Sequence, residues 1–371
     1  MHLSLGDTTQ VSNGSLTASV TSEHSGPDLQ FTISAVTIGD SSRRPATPDV
    51  VDASVAPFVP LGVLAAVLFG EDLQIDEPLS RVQITGAQDA AKTLGAWLDK
   101  PVPQIRAVEL EVQQPPATGV GLFFTRGIDS WASYLDNRRR VTHLLYLDGV
   151  EPRHSPAVRQ KLRAAHVRAG ADLALPVVIL DTDARAKLDP FISWELSHGA
   201  IMAACGLALS PMIGEMLIAS SHVKGHTRPW GTHALLDPQW SSAQVGVTHD
   251  GDHRSRWQKT ALVASNDTAL GSLHVCFEGG HDRNCGKCRK CLLTMSALEG
   301  LGVLERCDRF DAALDPEIIK TLNPTPHGRG FNSIDLLNNL PERSELSAAW
   351  AQVIDPSDMP ERLKRRIGSQ K

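Results

Sequence analysis

The chain has 371 residues, 42% hydrophobic and 21% charged, and its Lys+Arg 36 against Asp+Glu 42 give a net charge of −6. That length suggests two or three packed units, and the acidic balance argues against a nucleic-acid substrate, which needs a basic face. Apolar stretches such as Ile201–Leu209 are too short to span a membrane. Met1-His-Leu-Ser-Leu-Gly-Asp7 lacks the basic start and apolar core of a signal peptide. The expectation is therefore a cytoplasmic protein with no membrane partner.

Residues 1–116 read as a small α+β N-terminal accessory domain. Thr17–Thr21 and Leu29–Ser34 alternate in part like strands, and Ser41–Pro48 has the composition of a loop. Val51–Phe69 reads as a helix with Pro57 and Pro60 near its start, where proline is tolerated. Ala87–Leu98 is a second helix, and Val108-Glu-Leu-Glu-Val112 alternates like an edge strand. Pro115-Pro116 then marks a boundary.

From residue 117 to 275 strands alternate with helices. Val120–Phe124, Thr142–Leu147, Pro176–Leu180 and Met216–Ala219 read as strands. Ser130–Arg139, Pro156–Ala169 and Ser197–Leu209 read as helices. Continuous apolar strands separated by helices indicate an α/β fold with a parallel, Rossmann-like sheet. Ligands in such sheets bind at the carboxyl ends of the strands, where Thr125–Ser130, Asp148 and Asp181-Thr-Asp183 fall. Ser220–Leu273 reads as a long ordered loop rich in His, Gly, Pro and Trp. Residues 276–300 hold a cysteine cluster and the start of a helix, and 301–371 read as a helical C-terminal region.

Two constellations carry chemistry. In the first, an apolar strand empties into Thr125-Arg-Gly-Ile-Asp-Ser130 and a helix. The backbone amides of Gly127, Ile128, Asp129 and Ser130 are placed to meet a phosphate at the helix start. The hydroxyls of Thr125 and Ser130 can donate to it, and Asp129 can hold Mg2+ or orient a phosphate-bound water. A plain turn is the alternative reading. Gly119-Val-Gly121 precedes the strand and is no dinucleotide fingerprint, and Gly286-Lys287 lacks the rest of a Walker loop.

The second constellation is Cys276, Cys285, Cys288 and Cys291, spaced C-x8-C-x2-C-x2-C, which suits a tetrahedral zinc ion. Four thiolates close the shell of a structural site. A catalytic zinc, with His274 or His281 or water replacing one thiolate, is the alternative. Cys205 reads as a small core residue in an apolar helix, and Cys307 is uninformative. Lys224 and Lys259, in the middle loop, are the cations best placed by sequence to meet an anion, against a reading as a solvated basic loop.

Thr125-Arg-Gly-Ile-Asp-Ser130 resembles the S-G-G-x-D-S signature of the PP-loop ATP pyrophosphatases. Cys285-Gly-x-Cys288-x-x-Cys291 resembles the zinc knuckle of their 7-cyano-7-deazaguanine synthase-like branch, and the likeness spans residues from about 117 to 300. It implies a HUP-type PP-loop domain with a zinc-stapled end, and a site using ATP, Mg2+ and Zn2+. Such enzymes split ATP between the α and β phosphates and place AMP on a carboxylate, amide or carbonyl of a small-molecule acceptor. A nitrogen or sulfur donor then displaces the AMP. By position, Thr125, Arg126, Gly127, Ile128, Asp129 and Ser130 would bind the nucleotide, and Asp148 would lie near the adenosine. Asp129, Ser130 and Lys259 would carry the catalysis.

One departure stands out, because Arg126 occupies the family's first glycine. An arginine needs ordinary backbone angles, so the expectation is a differently shaped turn, an added cation, or a site that has lost catalysis. The resulting expectation is an AMP-forming ligase or synthase using a nitrogen nucleophile. The alternatives are a sulfur-inserting enzyme and a non-catalytic nucleotide-binding module. A homodimer is compatible with the sequence but not specified by it.

Overall fold

The computed structural model describes residues 1–5, 15–24, 26–38, 51–276, 278, 282–342 and 344–368. The loop expected at 41–48, and His281, lie outside the described residues. The chain is an α/β protein that forms two compact units. The first comprises Met1–Phe124, Asn137–Ser220 and Thr227–Asp250, and the second Thr125–Asp136, Ser221–His226 and Gly251–Lys371.

Twelve strands are formed among the described residues: β1 (His2–Leu5), β2 (Ser15–Thr21), β3 (Leu29–Ile38), β4 (Leu73–Ile75), β5 (Leu79–Ser80), β6 (Ile105–Arg106), β7 (Glu109–Leu110), β8 (Gly119–Phe123), β9 (His143–Asp148), β10 (Val177–Thr182), β11 (Ile213–Ala219) and β12 (Gly246–Asp250). Ten of them make one sheet in the order β12-β11-β8-β9-β10-β3-β2-β1-β4-β6, and β5 pairs with β7. β12 through β10 run parallel to one another. β3, β2 and β1 join by antiparallel ladders. The residues before Pro115-Pro116 thus add five strands to the sheet built by those after it.

Burial explains each ladder. β2 and β3 bury alternate residues, Leu16, Ala18 and Val20 on one and Leu29, Phe31, Ile33 and Ala35 on the other, as a strand with one covered face must. Val177–Leu180 in β10 and Leu144–Tyr146 in β9 are buried without alternation, as in a sheet covered on both faces. The helix Val59–Phe69 is apolar all round, buried over most of its length, and ends at Gly70 with φ 69°. Helix Arg81–Leu98 starts six residues before the expected one because the Ser80 hydroxyl accepts the Gln83 amide at 3.3 Å and caps it.

The expected edge strand at Val108–Val112 shrinks to β7. The segment read as a long loop, Ser220–Leu273, contains β12 and the helices Arg256–Ala264 and Asp267–Ser272. β12 has polar Thr248, His249 and Asp250 in five residues, which hides its period. In the second unit, helices Arg289–Gly300, Phe331–Asn339 and Glu345–Gln352 enclose Leu292, Leu336 and Trp350, whose Nε1 donates to Ser296 Oγ at 2.9 Å. No helix among the described residues is long and apolar enough to cross a membrane.

Candidate functional site

The turn that follows β8 and the cysteine segment both belong to the second unit. Helix Ile128–Asn137 begins directly after the turn, with Asp129 in its first turn. The first-turn amides of a helix have no acceptor inside it. Ser130, only 3% exposed, braces the turn: its Oγ donates to Gly127 O at 3.1 Å and accepts the Thr125 amide at 3.2 Å. The Gly127 amide lies 3.4 Å from Thr125 Oγ1.

Arg126 departs from the expectation of ordinary angles. Its φ is 62°, so it holds the left-handed conformation a glycine would take, at a cost of about 1–2 kcal/mol. Its side chain is 1% exposed and donates through Nη1 to Ser272 O at 3.4 Å, and its own carbonyl accepts the His274 amide at 3.0 Å. The guanidinium therefore ties the turn to the run entering Cys276.

Asp129 is the electrostatic centre. Arg256 Nη1 reaches its Oδ2 at 2.5 Å and Lys259 Nζ its Oδ1 at 3.3 Å. Burial pushes the Asp129 carboxyl up, but the charges of Arg256, Lys259 and Lys290 outweigh it and hold the group at about 2. Arg256 and Lys259 start helix Arg256–Ala264, set by a Ser255/Gln258 capping box, and Lys290 is the second residue of helix Arg289–Gly300. Cations in a helix's first turn oppose the helix dipole. Three of them act on one carboxylate, an arrangement that favours a further anion.

Sequence reasoning found Lys259 and missed Arg256 and Lys290. The capping pattern S-x-x-Q at Ser255 was the available signal for the first. Lys224, the other favoured cation, is exposed, with its amide on Asp252 O at 2.7 Å. Asp148 closes β9 in the first unit, 1% exposed. Arg159 binds both of its oxygens at 3.2 Å, and Arg163 and the Gly149 amide also bind it. Asp181, its register partner on β10, shares both arginines.

The sulfur atoms of Cys276, Cys285, Cys288 and Cys291 all lie within 4.8 Å of one another, and no histidine among the described residues joins them. Contacts of 3.9 Å for Cys276–Cys288, 3.9 Å for Cys285–Cys291 and 3.4 Å for Cys288–Cys291 fit a tetrahedron. Zn–S bonds of ~2.3 Å place sulfurs about 3.8 Å apart. The amides of Lys287 and Cys288 donate to Cys285 Sγ at 3.4 and 3.3 Å. Gly286, at φ 70°, makes the sharp bend between them, and a Cβ there would meet Ala312 O at 2.8 Å. Hydrogen bonds within the group push Cys288 down and Cys291 up, so four thiolates together require added positive charge. The residues fit zinc.

Asn284, fully buried, locks the cluster in place. Its Oδ1 accepts the amides of Val275 and Cys276 at 2.7 and 3.2 Å, and its Nδ2 donates to Leu273 O and Arg309 O at 3.0 and 3.3 Å. Nothing in the spacing marks it. Asn284→Ala strands these buried groups, each worth ~1–3 kcal/mol, so the denaturation midpoint should fall by more than ~2 kcal/mol with loss of retained metal. A change below ~0.5 kcal/mol would refute that role.

No known protein-family model matches this chain, and no curated protein or solved structure matches it significantly.

Proposed function

We propose that the protein is an ATP-dependent, AMP- and pyrophosphate-forming enzyme of the PP-loop type. In this reading it adenylates a carboxylate, amide or carbonyl of a small molecule for attack by a nitrogen nucleophile. The observation that carries the reading is the gathering of Arg256, Lys259 and Lys290 on Asp129, directly after the strand–turn–helix of Thr125–Ser130. That set is suited to a polyphosphate: the cations neutralise the pyrophosphate as it leaves, and the first-turn amides add dipoles. Asp129, ionised far below neutral pH, would hold Mg2+, which when bound adds charge stabilisation for the departing pyrophosphate. The zinc is a structural ion holding the wall that Arg126 leans on.

The sulfur-inserting alternative needs a reactive thiol outside the zinc cluster. Cys205 is fully buried and Cys307 is 6% exposed, and burial pushes both thiols up. Neither suits a persulfide carrier, which favours the nitrogen nucleophile.

The test is incubation of the full chain with α-labelled ATP, Mg2+ and the small-molecule fraction of a cell extract. AMP and pyrophosphate are the expected products. ADP with phosphate, or no turnover in any fraction, would reject the enzyme reading, and the latter would favour a nucleotide-binding module.

A further inference from the structure

The helices Arg256–Ala264 and Arg289–Gly300 both begin beside Asp129, since Arg256 and Lys290 belong to their first turns and both act on that carboxylate. One turn further along, between these helices and Phe331–Asn339, the second unit holds an open cleft of about 230 Å³, measured out to its mouth. Its lining recurs at helical spacing: Arg256 and Thr260 on the first helix, Leu293 and Ala297 on the second, Asn332 and Leu336 on the third. Positions three and four apart share a helix face, so each helix gives the cleft one side.

The floor of the cleft is apolar. Leu293, Ala297 and Leu336 are buried there together with Thr260 and Thr294. Both threonine hydroxyls give their protons to their own helices, Thr260 Oγ1 to Arg256 O at 2.8 Å and Thr294 Oγ1 to Lys290 O at 2.9 Å. They keep no donor for a ligand. Trp257 completes the lining. Its amide is fixed by Asp335 Oδ2 at 2.8 Å, and Gly300 leaves room for its ring, since a Cβ there would meet the indole at 3.0 Å.

The half-buried lining residues Arg256, Trp257 and Asn332 form the rim. Arg256 gives Nη1 to Asp129, and its guanidinium makes no other hydrogen bond among the described residues. Lys259 and Lys290 act on the same carboxylate. Three cations around Asp129 leave a surplus of positive charge at this end of the cleft. The planar fork of an arginine matches a carboxylate in shape as well as in sign.

We propose that this cleft seats the apolar tail of a small aliphatic carboxylate, with Arg256 meeting the carboxylate itself. A floor without free donors rejects a polar tail, because a buried polar group left without a partner is costly. The size of the cleft limits the tail to a short one. Resting on the adenylation reading above, the ligand is the acceptor, a short-chain carboxylate rather than an amide or a ring carbonyl. Its oxygen bonds to the α-phosphorus of ATP, and the bond from that phosphorus to the bridging oxygen breaks with its electron pair leaving on pyrophosphate. No proton moves in that step.

Calorimetric titration of the full chain without ATP tests the cleft, using straight-chain carboxylates from acetate to octanoate and hexylamine as the cationic control. Affinity should rise by about fourfold per methylene until the cleft is full and then level off. Hexylamine should bind ~10-fold or more weaker than hexanoate, because like charges meet at the rim. Ala297→Leu, which fills the floor, should flatten the series to the acetate value, and Arg256→Gln should weaken every length by ~10-fold or more. A flat or absent wild-type series, equal binding of hexylamine, or either variant behaving as wild type would overturn the assignment. If Ala297→Leu fails to fold, the NMR signal of the wild-type Trp257 indole decides: hexanoate must shift it, and an unmoved signal rejects the cleft. Tail-dependent binding in a chain that forms no AMP would remove adenylation and keep the cleft. AMP formed only on acceptors without an apolar tail would do the reverse.

Discussion

Asp129→Asn should abolish pyrophosphate release while the chain stays folded. The amide keeps the shape of the side chain but cannot carry negative charge. Arg256, Lys259 and Lys290 then lose a carboxylate they share, and on the proposed reading the site loses an anionic ligand for Mg2+. Loss of a transition-state interaction of this kind costs ~10^2–10^3 or more in turnover. Inorganic pyrophosphate alone should bind the variant more tightly, because the internal competitor for the three cations has gone. Turnover within tenfold of wild type would remove Asp129 from the mechanism.

The same substitution carries a pH signature. Asp129 is depressed from its ordinary 3.8 to about 2 in the folded state, so its ionisation contributes stability that is fully present above the unfolded value. That contribution disappears as pH falls through about 2. The wild-type advantage over Asp129→Asn should be about 2 kcal/mol near neutrality and shrink to nothing below pH ~2. Acid-denaturation curves of the two proteins would reveal it, and a constant gap across that window would contradict the assignment.

The second large effect concerns the metal. Elemental analysis should return about one zinc per chain, and strong chelation at neutral pH should unfold much of the second unit. Structural zinc supplies ~10 kcal/mol or more to small domains. Here Cys276 leads directly from the segment bonded to Arg126, and Cys291 lies in helix Arg289–Gly300, whose Leu292 enters the unit's core. Cys288→Ser should reproduce the chelated state in far-ultraviolet dichroism and in denaturant. A metal-free protein with an unchanged unfolding midpoint would exclude a structural zinc.

The strands β8 to β11 were legible in the sequence because burial on both faces leaves unbroken apolar runs, and the sulfur cluster because tight turns require its spacing. β12 was not, since its one buried residue, Val247, sits among polar neighbours, each with a partner in space. Arg256 and Lys290 were missed for a different reason. Arg256 meets Asp129 across 127 positions of sequence, and no local pattern links residues that far apart. The backbone of Arg126 shows the limit of residue-type rules. A left-handed arginine is unfavourable in isolation, but Ser272 and His274 grip its two ends. Joining of the first strands to the main sheet was equally hidden, since it depends on the β3–β10 ladder.

The double grip on Arg126 has a thermodynamic corollary. The turn that would receive a polyphosphate and the segment that delivers Cys276 share hydrogen bonds, so a ligand at one biases the conformations open to the other. Linkage is reciprocal. If the metal-loaded chain binds pyrophosphate tenfold more tightly than the metal-free chain, bound pyrophosphate must raise the affinity for zinc tenfold. Measuring how polyphosphate slows metal loss would then report the geometry of that turn with no acceptor in hand.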